Sequence, residues 1–178
     1  MIVLETERLL FRDHKPGDLE PFCALQADAA FRRYVGGKPR TREASEEKFR
    51  SVFLPPVVDR KGLWAAVFKP EWRYIGYCGV YPHSGPTGPV PGEGVLAFYL
   101  DKEYWGRGLA TEAGRAFVDF GFATLKLSRI VATVDVENGA SIRIVQKLGF
   151  RWCGMERHGS RSINEYELVS PVRKGPAP

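Results

Sequence analysis

Two glycines flanking an arginine, Gly106-Arg107-Gly108, stand directly before an unbroken run of helix formers that begins Leu109-Ala110-Thr111. Just upstream, Val95 to Leu100 is a continuous apolar segment, the pattern of a strand buried on both faces. Strand, glycine-rich turn and helix start together aim free backbone N–H groups and the positive end of a helix dipole at one point. Such a point binds phosphate or pyrophosphate. Gly106 and Gly108 let ligand oxygens approach the backbone, and Arg107 can add a charge-assisted hydrogen bond. A second polar cluster, Asn138-Gly139-Ala140-Ser141, ends one strand-like segment and opens a short helical run that closes at Lys147-Leu148-Gly149-Phe150.

Other phosphate-binding fingerprints do not fit. A P-loop needs Gly-Lys-Ser/Thr after four intervening residues, and no such run exists; a dinucleotide fingerprint starting at Gly106 needs Gly or Ala where Thr111 stands. The run from Tyr104 to Ala113 instead resembles the acyl-CoA pyrophosphate loop of GNAT-superfamily N-acetyltransferases, with Gly108 and Ala110 as its small residues. Its wording is similar to the branch containing the ribosomal-protein N-terminal (alanine) acetyltransferases. The Asn138 segment, with its short helix ending in Gly149-Phe150, repeats a second motif of that superfamily about thirty residues further on. The resemblance covers roughly residues 5 to 170 in element order, and is motif-specific from about Val95 to Phe150.

That resemblance implies an α+β fold: a mixed, mostly antiparallel central sheet of about seven strands flanked by about four helices. Two central parallel strands, here Val95–Leu100 and Ile130–Asp135, would splay apart, with the pantetheine arm of acetyl-CoA in the gap. The edge at Phe98, Tyr99 and Leu100 would hydrogen-bond the pantetheine, and Asn138 would bind its amide. Backbone N–H groups of the Gly106, Arg107, Gly108, Leu109, Ala110 and Thr111 loop would hold the pyrophosphate. Trp105 would wall that site or simply pack. No metal is implied.

The implied reaction is direct transfer of acetyl from the thioester to a primary amine, either a protein N-terminus or a small molecule. It needs a base for the ammonium, donors for the oxyanion and an acid for the departing sulfur. Many superfamily members use a Tyr seven residues after the Asn as the acid; here Val145 stands there. In the resembled branch a Ser three residues after the Asn serves, and Ser141 occupies that position, although a Ser at a helix start is also a common N-cap. The base is less defined, because the branch often carries Glu where Val95 stands. Glu93, two residues earlier and on the same face of an extended strand, His83 in the preceding segment, and a water relay are the alternatives. An α-amine near 7.8 and a lysine near 10.4 differ by about 2.6 units, roughly 3.5 kcal/mol of deprotonation cost at neutral pH. A weak base therefore favours α-amines and other weakly basic acceptors. The rival from another class is a non-catalytic acyl-CoA-binding sensor module that lost its base.

Periodicity places the surrounding elements. Glu7 to Arg12 reads as a first strand, and Asp18 can cap a helix carrying Leu19, Phe22, Cys23 and Leu25. Glu43 to Phe53 reads as a second helix, stopped at Pro55-Pro56. Leu63–Phe68 and Tyr74–Tyr81 read as an antiparallel hairpin. Pro82 to Gly94, with four prolines and four glycines, reads as a long loop near the substrate entrance. The helix from about Gly108 to Leu125 buries Leu109, Ala113, Ala116, Phe117, Phe120 and Thr124, leaving Glu112 and Arg115 on a solvated face. Ser128 to Glu137 is the next strand; Ala140, Ile144, Val145 and Leu148 form the apolar face of the last helix. Strands near Trp152 and from Asn164 to Val169 complete the sheet, and the tail 173–178 is expected to fray. Trp64, Trp72, Tyr77 and Tyr99 are candidates either for an acceptor pocket or for core.

Bulk composition fits one globular domain. The 178 residues are 44% hydrophobic and 26% charged, with a formal charge of +5. Basic and acidic residues interleave, which argues against nucleic-acid binding. No membrane-length apolar stretch occurs, and acids near the N-terminus argue against a signal peptide, so a cytoplasmic protein is expected, as monomer or homodimer. Cys23, Cys78 and Cys153 are too scattered for a disulfide framework or metal site and read as buried, reduced thiols.

Overall fold

The computed structural model describes residues 1–55, 61–159 and 161–171. Pro56 of the expected helix stop and the 173–178 tail lie outside them. The chain begins with strands β1 (Ile2–Glu5) and β2 (Leu9–Arg12), followed by helices α1 (Leu19–Ala27), α2 (Ala29–Arg32) and α3 (Arg42–Lys48). A π-helical turn, Phe49–Phe53, extends α3. Strands β3 (Gly62–Phe68), β4 (Arg73–Gly85) and β5 (Gly88–Leu100) form a meander, and α4 (Leu109–Ala123) follows. The remainder is β6 (Arg129–Asp135), α5 (Gly139–Lys147), β7 (Arg151–His158) and β8 (Arg161–Val169).

Among the described residues one eight-stranded sheet runs β1-β2-β3-β4-β5-β6-β8-β7, antiparallel everywhere except between β5 and β6. Period-two alternation divides its side chains between two cores. Trp64, Ala66 and Phe68 of β3 join Leu9, Phe11, Ile75, Val80, Phe117 and Leu109 on the face covered by α4 and α5. Ala65, Tyr74 and Tyr77 join Phe22, Phe31, Phe49 and Phe53 on the face covered by α1 to α3. Trp64 stacks on Phe117 with centroids 5.5 Å apart, fixing α4 against the sheet.

Several local expectations change. A short strand, β1, precedes the one expected, because Leu4 and Val3 pack at the sheet margin and β1 pairs along β2. Asp18 sits at the N-cap of α1 but makes no cap hydrogen bond, since its carboxylate is taken by the Arg12 guanidinium at 2.7 and 2.8 Å and by the Lys15 N–H. Thr124 and Ala140 are exposed, one just past the end of α4 and the other on the open face of α5. Cys153 is exposed, unlike Cys23 and Cys78.

The largest correction concerns Pro82 to Gly94, which is the outer half of the β4–β5 hairpin, closed by the Gly85↔Gly88 pair. Prolines fit there because β3 ends opposite Val80 and the β5–β6 pairing starts only at Glu93. Among the described residues the projecting hairpin therefore has no strand partner beyond Val80 on the β3 side, and a missing N–H on that outer edge costs no ladder bond. The hairpin is not regular. Between the Pro82↔Gly94 and Ser84↔Pro89 pairs, β4 advances two residues while β5 covers five, so β5 bulges. Gly92 lies in the bulge at φ +78°, and both the N–H and the hydroxyl of Ser128 donate to its carbonyl.

Candidate active site

The parallel pairing of β5 with β6 lasts for three residue pairs, Glu93↔Arg129, Gly94↔Ile130 and Val95↔Val131. Beyond Val95 the two strands part. β6 continues along β8 and β5 along β4, so the facing edges from Leu96 and Ala132 onward have no sheet partner between them. A cavity of about 1330 Å³ occupies this opening. Its wall takes in β5 from Val95 to Leu100, β6 from Ala132 to Asp135, the loop at Trp105, Gly106 and Gly108, the first turn of α4 and the start of α5. That volume exceeds the roughly 300–1,000 Å³ of a typical small-ligand site.

One end of the cavity is made of backbone donors. Gly106 and Gly108 adopt φ +71° and +78°, a conformation that only glycine takes without strain. No described residue accepts from the N–H groups of Gly106 to Thr111; the first bond of the helix is Glu112 N–H to Gly108 C=O. A Cβ at Gly106 would meet nothing within 4 Å, and one at Gly108 would meet only the Arg8 guanidinium at 3.6 Å. The donors therefore face open space. Trp105 lines the cavity and donates its indole N–H to the Leu100 carbonyl at 2.7 Å, closing the end of β5.

Two residues near this end behave differently from expectation. The Arg107 side chain does not line the cavity; its guanidinium lies 4.7 Å from the Phe68 ring centroid and 5.1 Å from that of Tyr104. Only its backbone remains in the loop. Glu112 is not a solvated helix residue. It accepts from the Thr6 hydroxyl at 2.6 Å, the Arg8 N–H at 2.9 Å and the Arg8 Nε at 2.7 Å, while Arg8 also donates to the Arg107 carbonyl. Burial opposes its charge, but these donors outweigh burial and hold the carboxyl below the ordinary range. The β1–β2 turn is thus tied to the glycine loop. A glutamate one turn into α4, aligned with basic and hydroxylic residues at the N-terminus, carried no periodic signal that would reveal this.

On the α5 side, Asn138 caps the helix by accepting from the Ser141 N–H at 3.1 Å. The Ser141 hydroxyl is therefore not the cap, and Ser141 lines the cavity beside Asn138. Val145 is fully buried. Phe98, Tyr99, Leu100, Leu109, Ala110 and Thr111 also lie in the wall. Of the other aromatic candidates, Trp64 and Tyr77 are core and Trp72 is exposed at a left-handed φ of +49°.

Tyr81, Pro82, His83 and Ser84 of β4 also line the cavity, beside the paired start of β5 and β6. Arg161, at the other end of β6, pairs with Asp135 at 2.7 Å and donates to the Tyr34 carbonyl. The two proton-acceptor candidates are joined, with His83 Nδ1 2.8 Å from Glu93 Oε2. Only His83 lines the cavity. Glu93 also receives Arg129 Nη1 at 2.8 Å, and Arg129 in turn reaches Glu167 at 2.6 Å and Glu165 at 3.2 Å. Burial would raise the Glu93 carboxyl, but hydrogen bonds from His83 and Arg129 outweigh it and keep the group below the usual range. Glu93 is a held carboxylate set back from the cavity, which does not fit the expectation of a base facing it.

Among the described residues no cluster of His, Cys, Asp and Glu could hold a metal ion, and no helix is long and apolar enough to cross a membrane. The chain matches the model of the acetyltransferase (GNAT) domain over residues 8–151. It is 27% identical over 158 residues to the uncharacterized N-acetyltransferase p20 of Bacillus licheniformis, covering 88% of this chain and 86% of that one. An alignment at 32% identity to YkkB of Bacillus subtilis, an uncharacterized protein, spans 61% of each chain. A GNAT-family acetyltransferase from Bacillus anthracis superposes with a TM-score of 0.80 at 23% identity, covering 95% of this chain and 98% of that one. The ribosomal α-N-protein acetyltransferase RimL, solved with coenzyme A, gives 0.76 at 13% identity, covering 95% and 98%. With its two motifs lying at the two lips of a splayed strand pair, the chain belongs to the GNAT acetyltransferase family, whose members transfer acetyl from acetyl-CoA to amines.

Proposed function

We propose that this chain acetylates a primary amine from acetyl-CoA within a ternary complex, and that the acceptor is an α-amine such as a protein N-terminus. The observation that carries the reading is the cleft between β5 and β6, which starts at Val95 and leads to the unpaired N–H groups of Gly106 to Thr111. The residues fit the co-substrate. The open glycine loop suits a pyrophosphate, and the β5 edge at Phe98, Tyr99 and Leu100 suits the amides of pantetheine, with Asn138 opposite.

The family's co-substrate supplies an acyl thioester, and three protein contributions act on it. Backbone N–H groups at the parted edge of β5 stabilise developing negative charge on the carbonyl oxygen. The Ser141 hydroxyl, not engaged as the helix cap, protonates the departing sulfur. Tyr34 and Arg161 close the wall beside Asp135 and Glu137 and limit water there. The α-amine preference follows from the lack of a free carboxylate in the place of Val95, since a less basic amine needs less help to lose its proton.

A second acceptor class, small polycationic amines, draws support from Glu137, Glu156 and Glu165 in the cavity wall. The test is calorimetric titration with CoA and acetyl-CoA, followed by thiol release with a hexapeptide bearing N-terminal alanine and with spermidine. Micromolar CoA binding with faster turnover of the peptide supports the α-amine reading. Faster turnover of spermidine selects the second class, and CoA binding without turnover leaves a binding module.

A further inference from the structure

The base that the reaction needs has no carboxylate at Val95, and the neighbouring strand β4 carries what replaces it. Three features converge on His83. It is the imidazole in the cavity wall, one step along β4 from the Pro82↔Gly94 pair that flanks the strand opening. Its Nδ1 meets Glu93 at 2.8 Å, and a carboxylate at that distance fixes the proton on Nδ1, leaving Nε2 as the lone-pair nitrogen. No described residue hydrogen-bonds Nε2. Glu93 is itself immobilised by Arg129, whose guanidinium is shared with Glu165 and Glu167 across β6 and β8.

Resting on the acetyltransfer reading, we propose that His83 is the general base of this enzyme and that Glu93 is its positioning residue, held in place by Arg129. The substrate ammonium gives one proton to His83 Nε2, and the neutral amine nitrogen then bonds to the acetyl carbon. The C–S bond breaks as that nitrogen loses its second proton, which replaces the one Ser141 delivers to sulfur. His83 returns its proton to water, so the products are the amide, CoA thiol and one released proton.

The register makes this arrangement possible. The Tyr81↔Val95 and Pro82↔Gly94 pairs, continued one step, set His83 opposite Glu93, and Arg129 is the β6 partner of Glu93. Imidazole, carboxylate and guanidinium therefore lie side by side across β4, β5 and β6, with 2.8 Å contacts on both sides of Glu93. The extra β5 residues lie on the way to Pro89, with Gly92 clamped by Ser128. The groups around the pair are Tyr81 on β4, Arg129 on β6, and Glu165 and Glu167 on β8.

The experiment follows thiol release from acetyl-CoA with the N-terminal-alanine hexapeptide and with spermidine, for the unsubstituted chain, His83→Ala, Glu93→Gln and the double variant. His83→Ala should lower kcat about 100-fold, within the range for loss of general-base catalysis. Acetyl-CoA affinity should be unchanged, and added imidazole should restore part of the rate. Glu93→Gln should lower kcat about tenfold, with no further loss in the His83→Ala background, because it acts only through the imidazole. Undiminished kcat in His83→Ala, or loss that imidazole does not restore, overturns the base assignment while leaving acetyltransfer intact. Additive losses in the double variant overturn the role of Glu93. Transfer to neither amine by the unsubstituted chain refutes the acetyltransfer reading for both classes, and the base falls with it.

Discussion

Replacing Gly108 by glutamate should act on folding and on ligand binding by very different amounts. Gly108 has φ +78° and ψ 0° at the N-cap of α4. A side chain there carries the left-handed penalty, about 1–2 kcal/mol. A carboxylate at a helix N-terminus returns about 0.3–1 kcal/mol through the dipole. Its Cβ meets only the Arg8 guanidinium, at 3.6 Å, so no clash adds to the cost. The net loss is about 1 kcal/mol, a fall in Tm of about 2–4 °C for a chain of this size. Binding pays far more. A carboxylate about 5 Å from one pyrophosphate charge, at an effective dielectric of about 20, repels it by about 3 kcal/mol, or about 100-fold in Kd. Thermal unfolding and calorimetric titration with CoA measure the two effects in one preparation. Gly108→Ala carries the strain without the charge and should weaken CoA by no more than about tenfold. A Gly108→Glu protein that melts normally and binds CoA within threefold of the unsubstituted chain would refute the assignment of the loop.

Three further outcomes are expected. Ser141→Ala should lower kcat by about 100-fold while CoA affinity and Tm stay fixed, because Asn138 caps α5; equal turnover would reduce Ser141 to a wall residue. Glu112→Gln should destabilise by about 2 kcal/mol at neutral pH, since it weakens a half-buried acceptor of three hydrogen bonds. The Glu112 carboxyl is held below its ordinary value, so that stability is present above the unfolded pKa and lost as pH falls through the folded one. The gap between the two melting curves should therefore close in acid, and a constant gap would refute the linkage. His14 is buried among Phe49, Phe53, Tyr74 and Tyr77, and burial pushes its pKa down from 6.5 to about 4. Between those values the unfolded chain binds the extra proton, so stability should fall by about 3 kcal/mol as pH drops through this window. His14→Phe should flatten that limb in denaturant melts, and an unchanged slope would show that another group is responsible.

Sequence patterns revealed the elements whose side chains alternate or repeat cleanly, and missed those set by strand neighbours. The run of Leu109, Ala113, Phe117 and Phe120 is one helical stripe, and all four are buried. The glycine loop and the Asn138 segment were equally legible, because positive φ and helix capping each demand few residue types. The Pro82 to Gly94 hairpin was hidden because proline statistics describe central strands, whereas this segment projects beyond β3 on one side and β6 on the other. The resting place of the Arg107 guanidinium was not legible, because the aromatic faces of Phe68 and Tyr104 that hold it are set by the fold and not by its neighbours Gly106 and Gly108. Glu112 failed in the same way, through partners more than a hundred positions away.

The position of the missing carboxylate ties these observations together. Val95 sits at the last paired residue before β5 and β6 separate, which is where a proton acceptor on β5 would reach the reacting amine most directly. Moving an acid back two residues along a regular strand preserves its face, so Glu93 would be a plain substitute for a glutamate at Val95. Its neighbours differ, however. The displaced acid stands between Arg129 of β6 and His83 of β4, where a cation already claims it and where it does not border the cavity. A carboxylate so held is a poor proton acceptor but a good anchor for an imidazole. The reactive nitrogen thereby passes from β5 to β4. Restoring an acid directly, as Val95→Glu in a His83→Ala background, should return activity above that of His83→Ala alone if the opening of the strands is the reaction centre. Activity that stays at the His83→Ala level in a folded, CoA-binding double variant would place the chemistry elsewhere in the cleft.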